Sequence, residues 1–157
     1  LLSKKGINDY MIEIGGEIFT KGINQKQQPW RIGVNKPTED SLNTNQELQT
    51  VLNVTDIAMA TSGNYRNFYY KNGKKYAHTI DPKTGYPVQH SLLSATVLAK
   101  NCATADAYAT SFMVMGLEKA KEILSQHSEL MAYLIYTNDD GKTEVWYSPS
   151  LKEKILE

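Results

Sequence analysis

The segment Phe68-Tyr69-Tyr70-Lys71-Asn72-Gly73-Lys74-Lys75-Tyr76-Ala77-His78 constrains this chain more than any other. Asn-Gly between two β-prone runs supplies the two positive φ angles of a type I′ turn, whose twist matches that of paired strands. The stretch therefore reads as a hairpin. The same logic recurs along the chain. Asn138-Asp139-Asp140-Gly141 lies between strand candidates Met131–Tyr136 and Thr143–Tyr147, and Asp81-Pro82-Lys83-Thr84-Gly85 is a further tight turn. Gly15-Gly16 separates Tyr10–Ile14 from Glu17–Thr20. Trp30–Val34 alternates and stops near Pro37; residues 38–47 are polar and read as a loop. Leu48 to Ala60 is apolar or β-branched and is expected to hold two short strands around Asn53, with Ser62-Gly63-Asn64 as a break; Leu92 to Ala99 is another strand.

Helices gather late. Cys102 to Met115 reads as one, with Asn101 or Thr104 near its N-cap, and about Glu118 to Ser128 as a second after Gly116. A short third helix is expected at Leu151–Leu156. Many hairpins with few, late helices give the class: α+β, a mainly antiparallel sheet with helices packed on it. The chain of 157 residues suits a single domain over 1–157. It opens on Leu1-Leu2-Ser3-Lys4-Lys5-Gly6, which resembles the last turn of a helix and its C-cap, so we expect the C-terminal portion of a longer protein.

Charge and cysteine content exclude several classes. Seventeen basic residues balance seventeen acidic ones, which gives no electrostatic reason to expect nucleic acid or a membrane surface as partner. No apolar run approaches the 18 residues of a membrane span. Cys102 is the single cysteine, so no intrachain disulfide forms.

Three constellations could carry chemistry. In Asp106-Ala107-Tyr108-Ala109-Thr110, a helix places the carboxylate and the hydroxyl one turn apart on one face. Two such hard oxygens can serve Mg²⁺, which keeps waters and binds substrate phosphates as well. The same spacing also fits a helix-start Asp favoured by the dipole, with Thr110 simply packed. The small apolar neighbours suggest a helix buried in the core, where an unpaired carboxylate is costly. The second constellation is His78-Thr79-Ile80-Asp81-Pro82-Lys83-Thr84-Gly85. A histidine ending a strand before a turn can act as a general base near neutral pH, or be an exposed turn residue. His90 and His127 are read as structural. The third is the pair of glycine breaks, Gly15-Gly16 and Ser62-Gly63, where backbone can approach a ligand or merely turn. Neither is a Rossmann or P-loop signature. Tyr65, Phe68, Tyr69 and Tyr70 could stack a planar ligand or cover a sheet.

In this order, Ile14-Gly15-Gly16, Trp30-Arg31-Ile32-Gly33, Thr61-Ser62-Gly63-Asn64-Tyr65-Arg66-Asn67-Phe68-Tyr69, His78 to Gly85, Ala105 to Thr110 and Met113-Val114-Met115-Gly116 resemble the ApbE family across nearly the whole chain. The resemblance implies an ApbE-like (T-fold-like) α+β fold and a Mg²⁺-dependent FAD:protein FMN transferase. Such an enzyme moves FMN from FAD to a Ser or Thr hydroxyl of a flavoprotein, typically a redox-pump subunit, and releases AMP. Some members instead hydrolyse FAD to FMN and AMP, and a non-catalytic flavin-binding module is a third reading. By motif position, Asp106 and Thr110 are expected as metal ligands and His78 as the base. Gly16, Thr79 and Ile80 are expected to border the dinucleotide. The resemblance also implies that family members are about twice this length, with further FAD contacts, at least one metal-coordinating group, an export signal and often a lipidated cysteine in the other half. It places the protein at the periplasmic side of a bacterial envelope, held by a lipid anchor outside this chain.

Overall fold

The computed structural model describes residues 1–37, 47–64, 68–71 and 74–156, giving the backbone alone at 68–71 and 74–77. Its strands are β1 (Tyr10–Ile14), β2 (Glu17–Lys21), β3 (Trp30–Asn35), β4 (Leu48–Val54), β5 (Ile57–Gly63), β6 (Phe68–Lys71), β7 (Lys74–Ala77), β8 (Leu92–Ala99), β9 (Met131–Thr137), β10 (Thr143–Tyr147) and β11 (Ile155–Leu156). Helices α1 (Cys102–Met115) and α2 (Leu117–Gln126) lie between β8 and β9. Among the described residues the strands form a six-stranded sheet in the order β1-β2-β5-β8-β9-β10, a three-stranded sheet β11-β4-β3 and the hairpin β6-β7. Among the described residues every strand pairing is antiparallel, and tight turns join β1 to β2, β6 to β7 and β9 to β10.

Successive side chains point to opposite faces of a strand, and β8 uses both faces. On one, Ala95, Val97 and Ala99 meet Ala105, Ala109, Phe112 and Met113 of α1. Alanines on both partners let the helix settle close to the sheet. On the other face Leu98, with Met59 and Ile135, packs against Ile32, Val34, Leu52 and Val54 of the small sheet. The six-stranded sheet is therefore the middle layer between helices and a second sheet. This explains why β8 is buried along nearly its whole length, Ser94 and Thr96 included. Tyr133 and Tyr147 sit directly across from each other in the β9–β10 ladder, with rings stacked 6.2 Å apart.

Local sequence accounts for the ends of these elements. Gly15 and Gly16 occupy the two-residue turn between β1 and β2 at φ +68° and +104°, a conformation that side chains resist. Lys71 lies opposite Lys74, the pairing expected of a hairpin closed by two residues; Asn72 and Gly73 themselves lie outside the described residues. The loop expected over 38–47 also falls largely outside them. Its flanks are joined by the Lys36 amide to the Glu47 carbonyl at 2.9 Å and by a 2.7 Å ion pair between their side chains. That ammonium holds the Glu47 carboxyl below its usual range. Asn101 caps α1, its side chain accepting from the Thr104 amide at 2.9 Å.

Three expectations need correction. The strands between Leu48 and Gly63 break at Thr55-Asp56, where Asp56 takes φ +51°, and not at Asn53. Ser62 and Gly63 continue β5 and pair with Ala95 and Ser94; the chain leaves the sheet only after Gly63. Leu151–Leu156 is not a helix. Pro149–Lys154 forms a 3₁₀ turn anchored by the fully buried Leu151, and Ile155 and Leu156 then pair with Leu52 and Val51 as β11. The opening residues form a short 3₁₀ turn at Ser3–Lys5, closed by Gly6 in the left-handed region.

His90 is structural, as expected. Its Nε2–H donates to the Met113 carbonyl at 2.8 Å, and its Nδ1 accepts from the Leu92 amide at 3.2 Å. The ring thus ties the end of α1 to the start of β8. Gly116, between the helices, takes φ +81° and ψ 176°, and a Cβ there would come within 3.2 Å of the His90 ring. Gly116→Ala is expected to lose about 1–3 kcal/mol, the cost of a side chain in this region of backbone space. Chemical denaturation measures it directly.

Candidate functional site

α1 carries the first constellation on its open face. Ala105, Ala109, Phe112 and Met113 are buried, whereas Asp106 and Thr110 are both exposed. The expectation of a helix buried in the core holds for the face of Ala105, Ala109, Phe112 and Met113, and not for the face that carries Asp106 and Thr110. Alanine at 103 and 107 reflects a small-residue surface beside the carboxylate, not immersion in the core. Among the described residues neither the Asp106 carboxylate nor the Thr110 hydroxyl has a hydrogen-bond or ion-pair partner. Two unengaged hard oxygens one helical turn apart fit Mg²⁺, which accepts a few protein oxygens beside waters and phosphate. Among the described residues no group of three or more His, Cys, Asp or Glu could hold a metal. A metal served by Asp106 and Thr110 would therefore need further oxygens, such as those of substrate phosphate and water.

Two cavities flank the pair. Asp106 lines one of about 450 Å³ with Tyr10, Ile12, Ile14, Phe19 and Cys102, between the β1–β2 hairpin and the start of α1. Thr110 lines the other, of about 490 Å³, with Asp81, Pro82, Lys83, Ser111 and Lys119. Both volumes suit a small organic ligand. In the first, Cys102 is half-buried; burial, and then the nearby Glu17 carboxylate, push its thiol pKa up. A thiol held protonated is a poor nucleophile, so Cys102 serves as a wall of the cavity.

The second constellation is built as a stiff turn at the end of β7. Val88 N–H donates to the Thr79 carbonyl at 3.0 Å, Ile80 bridges Pro87, and Asp81 N–H donates to the Tyr86 carbonyl at 2.9 Å. At its tip the Lys83 amide donates to Asp81 Oδ1 at 2.8 Å and the Gly85 amide to the Asp81 carbonyl at 2.8 Å. A side-chain contact ties this turn to the residue that follows β5: Thr79 Oγ1 donates to Asn64 Oδ1 at 2.6 Å. Asn64 is nearly buried, and its amide donates to the Leu93 carbonyl at 3.0 Å. His78 is exposed at the start of the turn.

The structure thus brings the tip of the turn, Asp81 to Lys83, to one cavity with Thr110. It does not bring all the expected residues into that space. His78, Thr79, Ile80 and Gly16 line neither cavity. Gly16 is accounted for by the hairpin turn it completes. The side chains of Tyr65, Phe68, Tyr69 and Tyr70 fall outside the described ones. Sequence reasoning named Asn64 and Lys83 only as members of their motifs, and did not name Lys119. Asn64 stands out as the buried polar residue just after the end of β5. The lysines carry no local signal, because the fold alone brings 83 and 119 to one cavity.

A sequence model described as the ApbE family matches residues 1–135. The protein named FAD:protein FMN transferase of Vibrio cholerae serotype O1 is 43% identical over 143 residues, covering 91% of this chain and 41% of the relative. The protein of the same name from Escherichia coli K12 is 38% identical over 156 residues, covering 99% of this chain and 43% of the relative. The solved structure titled Flavin Transferase ApbE from Vibrio cholerae superposes with a TM-score of 0.80 at 40% identity, over 98% of this chain and 46% of that one. The chain therefore spans less than half the length of the relatives it matches.

Proposed function

Because the chain belongs to the ApbE family, we propose that it works as part of a Mg²⁺-dependent FAD:protein FMN transferase. The observation that carries this reading is the exposed, unengaged pair Asp106–Thr110, with a ligand-sized cavity on either side. A pyrophosphate must expose its central phosphates to charge-neutralising groups while its two arms find room elsewhere. The bound metal would withdraw charge from the phosphate oxygens. Asp106 and Thr110 would hold it from the rigid side, since α1 is packed into the sheet. In the transfer, the acceptor hydroxyl oxygen bonds to the FMN phosphorus. The bond from that phosphorus to the bridging oxygen breaks, and its electron pair leaves with AMP. His78 is the group we assign to take the hydroxyl proton, at the start of a turn held in register by Thr79 and Asn64. A base so placed is worth about 10²–10⁴-fold in rate. Thr79 and Ile80 border the dinucleotide through that turn in this reading.

The acceptor we propose is a Ser or Thr of a flavoprotein subunit of a redox pump. The location we propose is the periplasmic side of a bacterial envelope, with a lipid anchor outside these 157 residues. Both follow from the family resemblance alone.

The test uses the protein as its gene encodes it, with FAD, Mg²⁺ and a candidate acceptor. AMP should appear together with flavin that stays on the acceptor through denaturing electrophoresis, and EDTA should stop both. Free FMN and AMP without any acceptor would establish FAD hydrolysis instead. FAD binding with no AMP under either condition would leave a flavin-binding module. The 157 residues alone should give little or no turnover, since they span under half of their relatives and offer two metal donors among those described.

A further inference from the structure

The cavity beside Thr110 is lined by two lysines from distant parts of the sequence: Lys83 from the turn and Lys119 from the first turn of α2. Among the described residues neither side chain has an ion-pair or hydrogen-bond partner, whereas Lys36 is bound to Glu47 and Lys121 to Glu118. Lys119 also stands where its own helix disfavours it. The first turn of a helix is its positive end, and a cation there is repelled. The last turn of α2, where a lysine would help, has no basic residue. The cavity's carboxylate, Asp81, already accepts from the Lys83 amide through Oδ1. Two unpaired cations against one engaged carboxylate, with the Thr110 and Ser111 hydroxyls beside them, make a wall suited to a phosphate monoester.

We infer that Lys83 and Lys119 hold the phosphate of the departing AMP, an inference that rests on the flavin-transfer reading above. When the bond to the bridging oxygen breaks, that oxygen keeps the electron pair and becomes a terminal oxygen of AMP. The charge on the AMP phosphate rises by one at that moment, and ammonium groups facing it favour the departure. The FMN phosphate meanwhile passes to the acceptor and gains no such charge, so the two lysines discriminate between the two halves.

The experiment measures inhibition of the full gene product by AMP and, separately, by FMN, in wild type, Lys83→Ala, Lys119→Ala, the double variant and Lys119→Arg. Each alanine should raise the AMP inhibition constant about tenfold, the usual consequence of losing one charge-assisted hydrogen bond. The FMN constant should not move, and Lys119→Arg should retain most of the AMP affinity. Both lysines are exposed, so the melting temperature should stay at the wild-type value. An active double variant with unchanged AMP inhibition overturns the inference. So does a double variant whose FMN inhibition weakens as much as its AMP inhibition, since the lysines would then serve no particular half. A wild type that releases no AMP from FAD, with or without acceptor, brings down the flavin-transfer reading and this inference with it.

Discussion

Asp106→Ala is expected to remove AMP release from FAD almost entirely, by about 10³-fold or more, while leaving the protein as stable as before. The rate effect follows because the carboxylate is the only charged protein group in the proposed metal pair, and charge neutralisation on phosphate oxygens supplies most of the catalysis in phosphoryl transfer. The stability is unaffected because Asp106 is exposed and makes no hydrogen bond or ion pair among the described residues. Substitutions of this kind usually change stability by less than about 0.5 kcal/mol. Excess Mg²⁺ should partly restore an Asp106→Asn enzyme, which keeps one oxygen donor, but not Asp106→Ala. Turnover that survives in Asp106→Ala and in EDTA would return this residue to an ordinary helix carboxylate.

Phe112→Ala is expected to do the opposite. The ring is fully buried between α1 and the six-stranded sheet, about one and two-thirds turns from Asp106, and tilts against Tyr108 at 5.7 Å. Truncating a buried phenylalanine costs about 3–5 kcal/mol through lost burial and the cavity left behind. A domain of this size has only about 5–15 kcal/mol to lose. The midpoint of urea unfolding should fall accordingly, with its slope unchanged. An unchanged midpoint would mean that α1 does not pack as described. The two variants together separate the helix as scaffold from the helix as ligand holder.

Much of this architecture was legible because turn chemistry is local. Gly15-Gly16, Asn138 to Gly141 and Asp81 to Gly85 each announce a reversal of the chain, and reversals at short spacing admit few folds. The helix Cys102–Met115 was legible from its asparagine cap and from Gly116. What escaped was information that is not local. Ile155 and Leu156 form a strand only because Leu151 anchors the chain beneath β4, a partner about a hundred positions earlier. The burial of α1 was misjudged because alanine is uninformative about exposure: Ala105 and Ala109 pack into the core, while Ala103 and Ala107 face outward. Of the candidate site, the residue types at Asp106 and Thr110 and their one-turn spacing were legible. Its division into two cavities, and the meeting of Lys83 with Lys119, arise from tertiary packing.

The turn from Thr79 to Val88 is tied toward the sheet by the Thr79–Asn64 hydrogen bond, whereas α1 is embedded through four side chains with no exposed surface. Amide hydrogen exchange should register this difference as a gradient across a single site. The amides of α1 should exchange near the rate of global unfolding, and those of the turn by local opening at much lower cost. A ligand that bridges the two walls would then slow exchange chiefly at Asp81, Lys83 and Gly85. Its arrival would be visible as protection of the turn long before any change in the helix.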